Sequence, residues 1–297
     1  MKSVFSILQF IWKHPLASKR RSYAMRRFFN WQISQRIFPV PVIYPLLENS
    51  VLIVEKGMTG ATGNIYTGLM EFDEMSFVLH VLRENDLFAD IGANIGVFSV
   101  LASVNAGAKT IAIEPVPATY SRLVRNIQAN EMSGKICPRQ VGVGNEQGEF
   151  LFSTNHDTVN HVLSDREIKE NVPAVKVNVD TIDKIFESEC PCLIKMDVEG
   201  FEWPALQGAK RTMSDPRLKA IIIEINGSGS NYGISDDDIH SFLLNHGLRP
   251  FSYEPFSRSL NSLEKYGNTN TIYIRDPEWV KERVDSARKF EIFNCKI

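Results

Sequence analysis

Small and acidic residues follow two short apolar runs in the first half of the chain. The run at 87–91 enters a turn spelled Asp-x-Gly-x-Asn-x-Gly, which is made by Asp90, Gly92, Asn94 and Gly96. The run at 110–113 ends in Glu114. A strand, a glycine turn and a following helix expose free backbone amides, and an acid after the next strand can bind two ribose hydroxyls. The spacing predicts the nucleoside-binding half of a doubly wound α/β sheet.

The glycine pattern indicates which nucleoside is bound. A dinucleotide fingerprint needs G-x-G-x-x-G, and its middle glycine admits the pyrophosphate. Asn94 occupies that place, and Asp90 would repel a pyrophosphate but suits an ammonium and a sulfonium. The turn therefore predicts S-adenosylmethionine as the cofactor. A nicotinamide-dependent oxidoreductase is the alternative enzyme, and a glycine turn without any ligand is the structural alternative.

Two later segments extend the pattern. Asn126–Asn130 reads Asn-Ile-Gln-Ala-Asn, and Ile194–Glu202 reads Ile-Lys-Met-Asp-Val-Glu-Gly-Phe-Glu. With the glycine turn and Glu114-Pro115, these segments resemble the FkbM family of S-adenosylmethionine-dependent methyltransferases over roughly residues 70–230. The resemblance implies O-methylation of a hydroxyl on a sugar, glycan or other small molecule. It also implies a mostly parallel, seven-stranded Rossmann-like sheet with helices on both faces.

The resemblance further implies roles for individual residues in binding the cofactor. Gly92, Asn94 and Gly96 would cradle its methionine portion, Asp90 would hold the ammonium, and Glu114 would fix the ribose. The remaining expected contacts are Glu71 near the methionine end, Pro115 beside Glu114, and Val143 at the end of a strand near the adenine.

Asp197 is the first candidate for catalysis. It follows an apolar run, 192–196, that is expected to pair with the first strand, and doubly wound folds place their chemistry at such strand ends. Asp197 would act as base or orienting group, with His161 of a polar 153–173 lid as second choice. The alternative is that Asp197 and Glu199 only favour the start of a helix.

A metal site is the less favoured interpretation of the same strand ends. Asp197, Glu224 and Asn226 could hold a hard cation through oxygen ligands, although the resembled family is not defined by a metal. The histidines at 156 and 161 are not spaced as a helical zinc pair, and Cys190 and Cys192 are too close for the usual zinc spacing. We therefore expect no zinc site.

Composition is that of a globular protein. The chain has 297 residues, of which 43% are hydrophobic and 23% charged. This favours one large domain at 71–297 preceded by an extension at 1–70 that contains helices and strands. Four scattered cysteines predict reduced thiols in the cytoplasm. No apolar run reaches the roughly 20 residues of a membrane-spanning helix.

Charge is distributed unevenly. Residues 1–47 contain no Asp or Glu, and their basic residues are Lys2, Lys13, Lys19, Arg20, Arg21, Arg26, Arg27 and Arg36. The favoured interpretation is a cap on the catalytic domain with its charges in water. The alternative is an amphipathic arm that contacts anionic lipid, which would make the protein peripheral at the membrane or even a non-catalytic scaffold. Few aromatic residues lie near the lid, so a nucleic-acid substrate is not favoured.

Several local predictions follow from turn and helix signals. We expect a loop at 57–63 that covers the cofactor, one strand over 136–143 and a helix capped by Asp180. We also expect a single helix over 202–213 and a helical tail over 277–297.

Overall fold

The computed structural model describes residues 4–154, 161–267 and 269–297. Its α-helices are α1 (Val4–Lys13), α2 (Pro15–Lys19), α3 (Arg21–Ile37), α4 (Thr59–Thr67), α5 (Phe72–Val81), α6 (Val97–Val100), α7 (Pro117–Ala129), α8 (Asp165–Lys169), α9 (Ile182–Ile185), α10 (Glu202–Gln207), α11 (Lys210–Ser214), α12 (Asp236–Asn245) and α13 (Pro277–Ser286). A π-helical turn, Leu101–Asn105, continues α6, and a 3-10 turn covers Ser228–Tyr232.

The strands of the described residues form one large sheet and three small ones. They are β1 (Val42–Leu47), β2 (Ser50–Val54), β3 (Leu87–Ile91), β4 (Lys109–Ile113), β5 (Ile136–Arg139), β6 (Gly142–Val143), β7 (Gly148–Ser153), β8 (Ala174–Asp180), β9 (Leu193–Met196), β10 (Ala220–Glu224), β11 (Arg249–Glu254), β12 (Ser259–Ser262), β13 (Asn270–Ile274), β14 (Glu291–Ile292) and β15 (Cys295–Lys296).

The large sheet has the order β12-β11-β13-β10-β9-β3-β4-β5. Strands β5, β4, β3, β9 and β10 pair in parallel, whereas each of the pairs β10–β13, β13–β11 and β11–β12 is antiparallel. The chain winds outward from β3 through β4 to β5 and then crosses to β9, so the direction of winding reverses between β3 and β9. This confirms the doubly wound α/β class, and β12 adds an eighth strand that the sequence did not predict.

Alternating apolar residues bury both faces of the central strands. In β10, Ile222 packs into one layer while Ile221 and Ile223 pack into the other, and all three are fully buried. Full burial of such a side chain contributes roughly 1.5–3 kcal/mol. Apolar side chains cover both faces of the central strands, and the polar residues lie where these strands end, at the carboxyl edge of the sheet.

The asparagines of the 126–130 segment connect β2 to the glycine turn. The backbone amides of Val51 and Ile53 donate to the side-chain oxygens of Asn130 and Asn126, at 2.8 and 2.7 Å. The Asn126 amide nitrogen also donates to the Ile95 carbonyl at 2.8 Å. The two asparagine side chains therefore accept hydrogen bonds from backbone amides of β2, and Asn126 also holds the turn after β3.

The N-terminal helices pack on the rest of the molecule. Ile11, Ala24 and Phe28 are buried in the same core as α5 and β3. Pro15 separates α1 from α2, as predicted, and is the first residue of α2, where its missing amide is tolerated. No helix among the described residues has the length and apolar character to cross a membrane.

Two local predictions were wrong because tertiary packing overrides composition. The expected loop at 57–63 is largely α4, since a Cβ at Gly63 would overlap the Met70 side chain and the glycine permits close packing. The expected strand over 136–143 stops at Arg139, which pairs with Ile113, the last residue of β4. Val143 lies instead in β6, which pairs with β8 in a separate sheet.

Three element boundaries also differ from the predictions. Thr181, rather than Asp180, caps α9, because the Thr181 hydroxyl accepts from the Lys184 amide. The expected helix at 202–213 breaks at Gly208, where a Cβ would overlap the Gly144 carbonyl oxygen. The C-terminal tail is helical only as far as Ser286, and the β14–β15 hairpin follows it.

Candidate active site

The turn after β3 is held by backbone contacts at the switch point of the sheet. The amides of Gly92 and Ala93 both donate to the Ile113 carbonyl, at 3.0 and 2.9 Å. Gly92 and Gly96 have positive φ angles of 78° and 87°, and Asn94 has a φ of 52°. Asparagine tolerates this left-handed conformation better than most residues, which explains how it occupies a place where dinucleotide sites have glycine.

The two glycines are also required by packing. A Cβ at Gly92 would overlap the Asp197 carbonyl oxygen, and one at Gly96 would meet Leu123. The Asp197 amide in turn donates to the Ile91 carbonyl at 3.0 Å. The turn after β3 and the loop after β9 are therefore in direct backbone contact.

Glu114 faces this turn from the end of β4. It is buried, and its two carboxylate oxygens accept from the backbone amides of Asn94 and Val116, each at 3.0 Å. Burial raises the pKa of Glu114 to about 7, against the lowering effect of these two amides. Each oxygen keeps a second acceptor position, as binding to ribose hydroxyls requires.

Asp90 is a buried acid with one of its carboxylate oxygens hydrogen-bonded. Its Oδ2 accepts from the Ser99 hydroxyl at 2.6 Å, while its Oδ1 has no hydrogen-bond partner within the described part of the chain. Burial raises the pKa of Asp90. A buried unpaired oxygen is costly, so this atom is a candidate contact for a ligand ammonium or an ordered water.

Lys195 lies at the centre of the acidic residues. Its ammonium donates to Asp197 Oδ2 at 2.8 Å and lies 4.9 Å from the centroid of the Phe98 ring. Burial alone would lower the pKa of Lys195, but the carboxylates of Asp197, Glu71 and Asp90 outweigh it and raise the pKa above its ordinary value. Lys195 belongs to the 194–202 segment but was not predicted as a site residue, because two of its charged neighbours, Glu71 and Asp90, are distant in the sequence.

Three carboxylates converge where β9 and β10 end. Asp197, Glu199 and Glu224 bring one oxygen each within 4.8 Å of one another. Burial first, and the charge of Asp197 second, raise the pKa of Glu199 to about 8 and that of Glu224 to about 7. Glu199 also has a φ of 54°, an uncommon conformation for a residue other than glycine.

This cluster has the oxygen chemistry of a hard-cation site, but its membership differs from the prediction. Glu199 joins Asp197 and Glu224, whereas the side-chain oxygen of Asn226 accepts from the Ser228 amide at 2.9 Å. The Lys195 ammonium already gives Asp197 a positive partner, and it would repel a divalent cation at that carboxylate.

Two further acids, Glu71 and Glu202, lie next to the carboxylate cluster. Glu71 accepts from the Asn270 side-chain amide at 2.8 Å, and Asn270 pairs with Glu224 across β13 and β10, which places Glu71 beside this edge. Burial raises the pKa of Glu71. Glu202 is buried and accepts from the amides of Val198 and Gly200, at 3.1 and 3.3 Å, so it fixes the loop that carries Glu199.

The other predicted residues lie around this centre. His161 is bound to Glu167 through Nε2 at 2.7 Å and is not a member of the carboxylate cluster. Pro115 follows Glu114 in the loop before α7, and Val143 is buried. Residues 155–160 of the expected 153–173 lid, with the histidine at 156, lie outside the described residues.

Comparison with known proteins identifies the family. The sequence model of the Methyltransferase FkbM domain matches residues 90–250, which hold the glycine turn, Glu114 and the Lys195–Glu202 segment. The chain belongs to the FkbM methyltransferase family. This confirms the resemblance in the motifs and supports methyl transfer rather than the nicotinamide-dependent alternative.

Relatives of this FkbM protein also carry methyltransferase names. It is 27% identical over 176 residues to the "Hexuronic acid methyltransferase AglP" of Haloferax volcanii, a match that covers 58% of this chain and 67% of the relative. It is 29% identical over 150 residues to "Methyltransferase 1" of Beauveria bassiana, covering 42% and 59%. A solved structure of M. capricolum TrmK with S-adenosyl-homocysteine is 11% identical with a TM-score of 0.38, covering 68% of each chain. A likeness of that size supports no statement about ligand or substrate.

Proposed function

We propose that this FkbM protein transfers the methyl group of S-adenosylmethionine to a hydroxyl on a sugar, glycan or other small molecule. The observation that carries the proposal is the ion pair between buried Lys195 and half-buried Asp197, because the Asp197 backbone contacts the turn after β3. The relative named for hexuronic acid favours a sugar acceptor. The four cysteines are free thiols, which favours a reducing compartment such as the cytoplasm.

The buried polar groups fit S-adenosylmethionine. Glu114 would accept from the ribose hydroxyls through its remaining acceptor positions, and the free Oδ1 of Asp90 would hold the ammonium directly or through water. Gly92, Asn94 and Gly96 would line the methionine portion. Glu71, Pro115 and Val143 complete the proposed set, toward the methionine end, the ribose and the adenine respectively.

Asp197 would perform the acid–base part of the reaction. The cofactor would supply a sulfonium-activated methyl group, so that an acceptor oxygen could bond to the methyl carbon while its C–S bond breaks and S-adenosylhomocysteine leaves. Asp197 would orient the acceptor hydroxyl and accept its proton, while Lys195 holds the carboxylate in place. Glu224 and Glu199, whose raised pKa values lie near neutrality, would then share that proton. His161 remains the second candidate for the base.

Calorimetric titration with S-adenosylhomocysteine tests the cofactor assignment. The wild-type protein should bind it, and Glu114→Gln should raise Kd by about 10- to 100-fold, because hydrogen bonds to a charged group contribute roughly 1.5–3 kcal/mol. Glu149→Gln is the control, since Glu149 is an exposed acid paired with Lys176. Wild-type affinity in folded Glu114→Gln would refute the ribose assignment, and a folded wild-type protein without affinity would refute the cofactor.

A further inference from the structure

Helix α3 presents apolar residues on two opposite sides. Ala24, Phe28 and Trp31 face the core. Phe29, Ile33 and Ile37 follow one another at intervals of four residues, about half a turn around the helix from the buried set at roughly 100° per residue. Their exposed fractions are 50%, 55% and 62%, so an amphipathic pattern with one apolar side does not describe this helix.

Exposed apolar side chains are concentrated in this part of the molecule. Of the fifteen large hydrophobic residues exposed among those described, eleven lie between residues 4 and 43. Phe38, directly after α3, is 68% exposed, and Trp12 in α1 is 54% exposed with Arg21 stacked 4.6 Å from its ring. Scattered single residues of this kind are ordinary, but such a concentration marks an interaction surface.

The charge of the same region indicates the partner. Arg26 lies three residues before Phe29, and Arg36 lies three residues after Ile33, so guanidinium groups flank the exposed apolar row. Lys13 and Arg20 are exposed as well, and residues 1–47 contain no Asp or Glu. An apolar row with arginines beside it matches the boundary between acyl chains and anionic headgroups.

We propose that the exposed row of α3, composed of Arg26, Phe29, Ile33, Arg36 and Ile37, docks the protein on an anionic lipid surface. A second copy of the chain fits less well, because a two-fold contact would place the same uncompensated cations against each other. A nucleic acid fits less well too, because it would leave the aliphatic Ile33 and Ile37 without bases to stack on. The proposal is independent of methyl transfer.

Vesicle sedimentation with the full chain tests this surface. We expect the protein to pellet with phosphatidylcholine vesicles that contain phosphatidylglycerol, to stay in solution with phosphatidylcholine alone, and to be released by salt. The triple variant F29Q/I33Q/I37Q should lose about tenfold or more of its partition coefficient, because it no longer buries apolar area in the membrane. The double variant R26Q/R36Q should bind the phosphatidylglycerol vesicles more weakly than the wild type, and its remaining binding should depend less on salt.

The control is Leu151→Gln with Leu244→Gln, two exposed apolar residues outside the basic region. Thermal melting verifies that each variant is folded. A wild-type protein that binds neither vesicle, or a triple variant that binds like the wild type, overturns the proposal. Light scattering that shows the triple variant converting a dimer to a monomer, without wild-type vesicle binding, would assign the row to a second copy instead.

Discussion

Replacing Lys195 with methionine tests whether one buried ammonium stabilises the acidic centre. The Lys195 side chain is 5% exposed and that of Asp197 is 27% exposed, so the pair is only partly screened by water. Breaking a buried pair by removing one partner costs about 3–5 kcal/mol, and the partial exposure of Asp197 places the expected loss near the lower end, about 3 kcal/mol. That is a large fraction of a typical total stability of about 5–15 kcal/mol.

The loss should depend on pH. Without Lys195, the buried carboxylates of Asp90 and Glu71 have no counter-charge, and their folded-state pKa values rise further above those of the unfolded chain. Protonation then relieves the repulsion, so the difference in unfolding free energy between wild type and Lys195→Met should be largest at about pH 8 and smaller at about pH 5.

Urea unfolding at the two pH values measures this difference. Lys281→Met is the matched control, because Lys281 donates to Asp285 at the same 2.8 Å distance on the exposed face of α13. Solvent screening should leave that variant close to wild type. A Lys195→Met deficit below about 1 kcal/mol, or one that is equal at both pH values, would show that the ammonium does not compensate the carboxylates.

Two further predictions concern the same carboxylates. The free protein should melt at a lower temperature at about pH 8 than at about pH 5, because burial raises the pKa of Glu114 and Glu224 to about 7 and that of Glu199 to about 8. The stability that these groups contribute is full below their ordinary pKa of 4.5 and is lost as pH rises through the raised values. A melting temperature that rises with pH would contradict this prediction. Asp197→Asn should lower kcat, measured by methyl transfer, by about 10²- to 10⁴-fold. The Kd for S-adenosylhomocysteine, measured by calorimetry, should stay within about threefold of the wild-type value. An unchanged kcat would transfer the acid–base role to His161.

The sequence predicted those parts of the site that depend on local backbone. Strand β3, its turn and the acid after β4 follow from apolar runs and glycines that lie close together in the chain. The cluster membership of Glu199 was not predictable in this way, because it depends on a left-handed φ in the loop after β9 and on Glu202, which accepts from two amides of that loop. The position of Glu71 depends on Asn270, which is 199 residues away in the chain.

Elements whose local composition disagrees with their packing were also missed. The glycines of α4 predict a loop, yet that segment is helical and the missing side chain of Gly63 lets Met70 pack against it. Strand β12 is mostly polar and pairs only with β11 at the margin of the sheet, so it lacks the apolar alternation by which the central strands are recognised.

The missing side chain of Gly92 has a consequence for how this enzyme can change. Because the Asp197 carbonyl fills the space where a Cβ would lie, the two loops cannot slide past each other without breaking their backbone contact. The separation between the turn after β3 and the main chain of Asp197 is therefore fixed by backbone contact. Segments 161–169 and 227–233 are joined instead by a side-chain contact, the hydrogen bond from the Tyr232 hydroxyl to the Val162 carbonyl, so we expect substitutions to alter them more readily than the contact at Gly92.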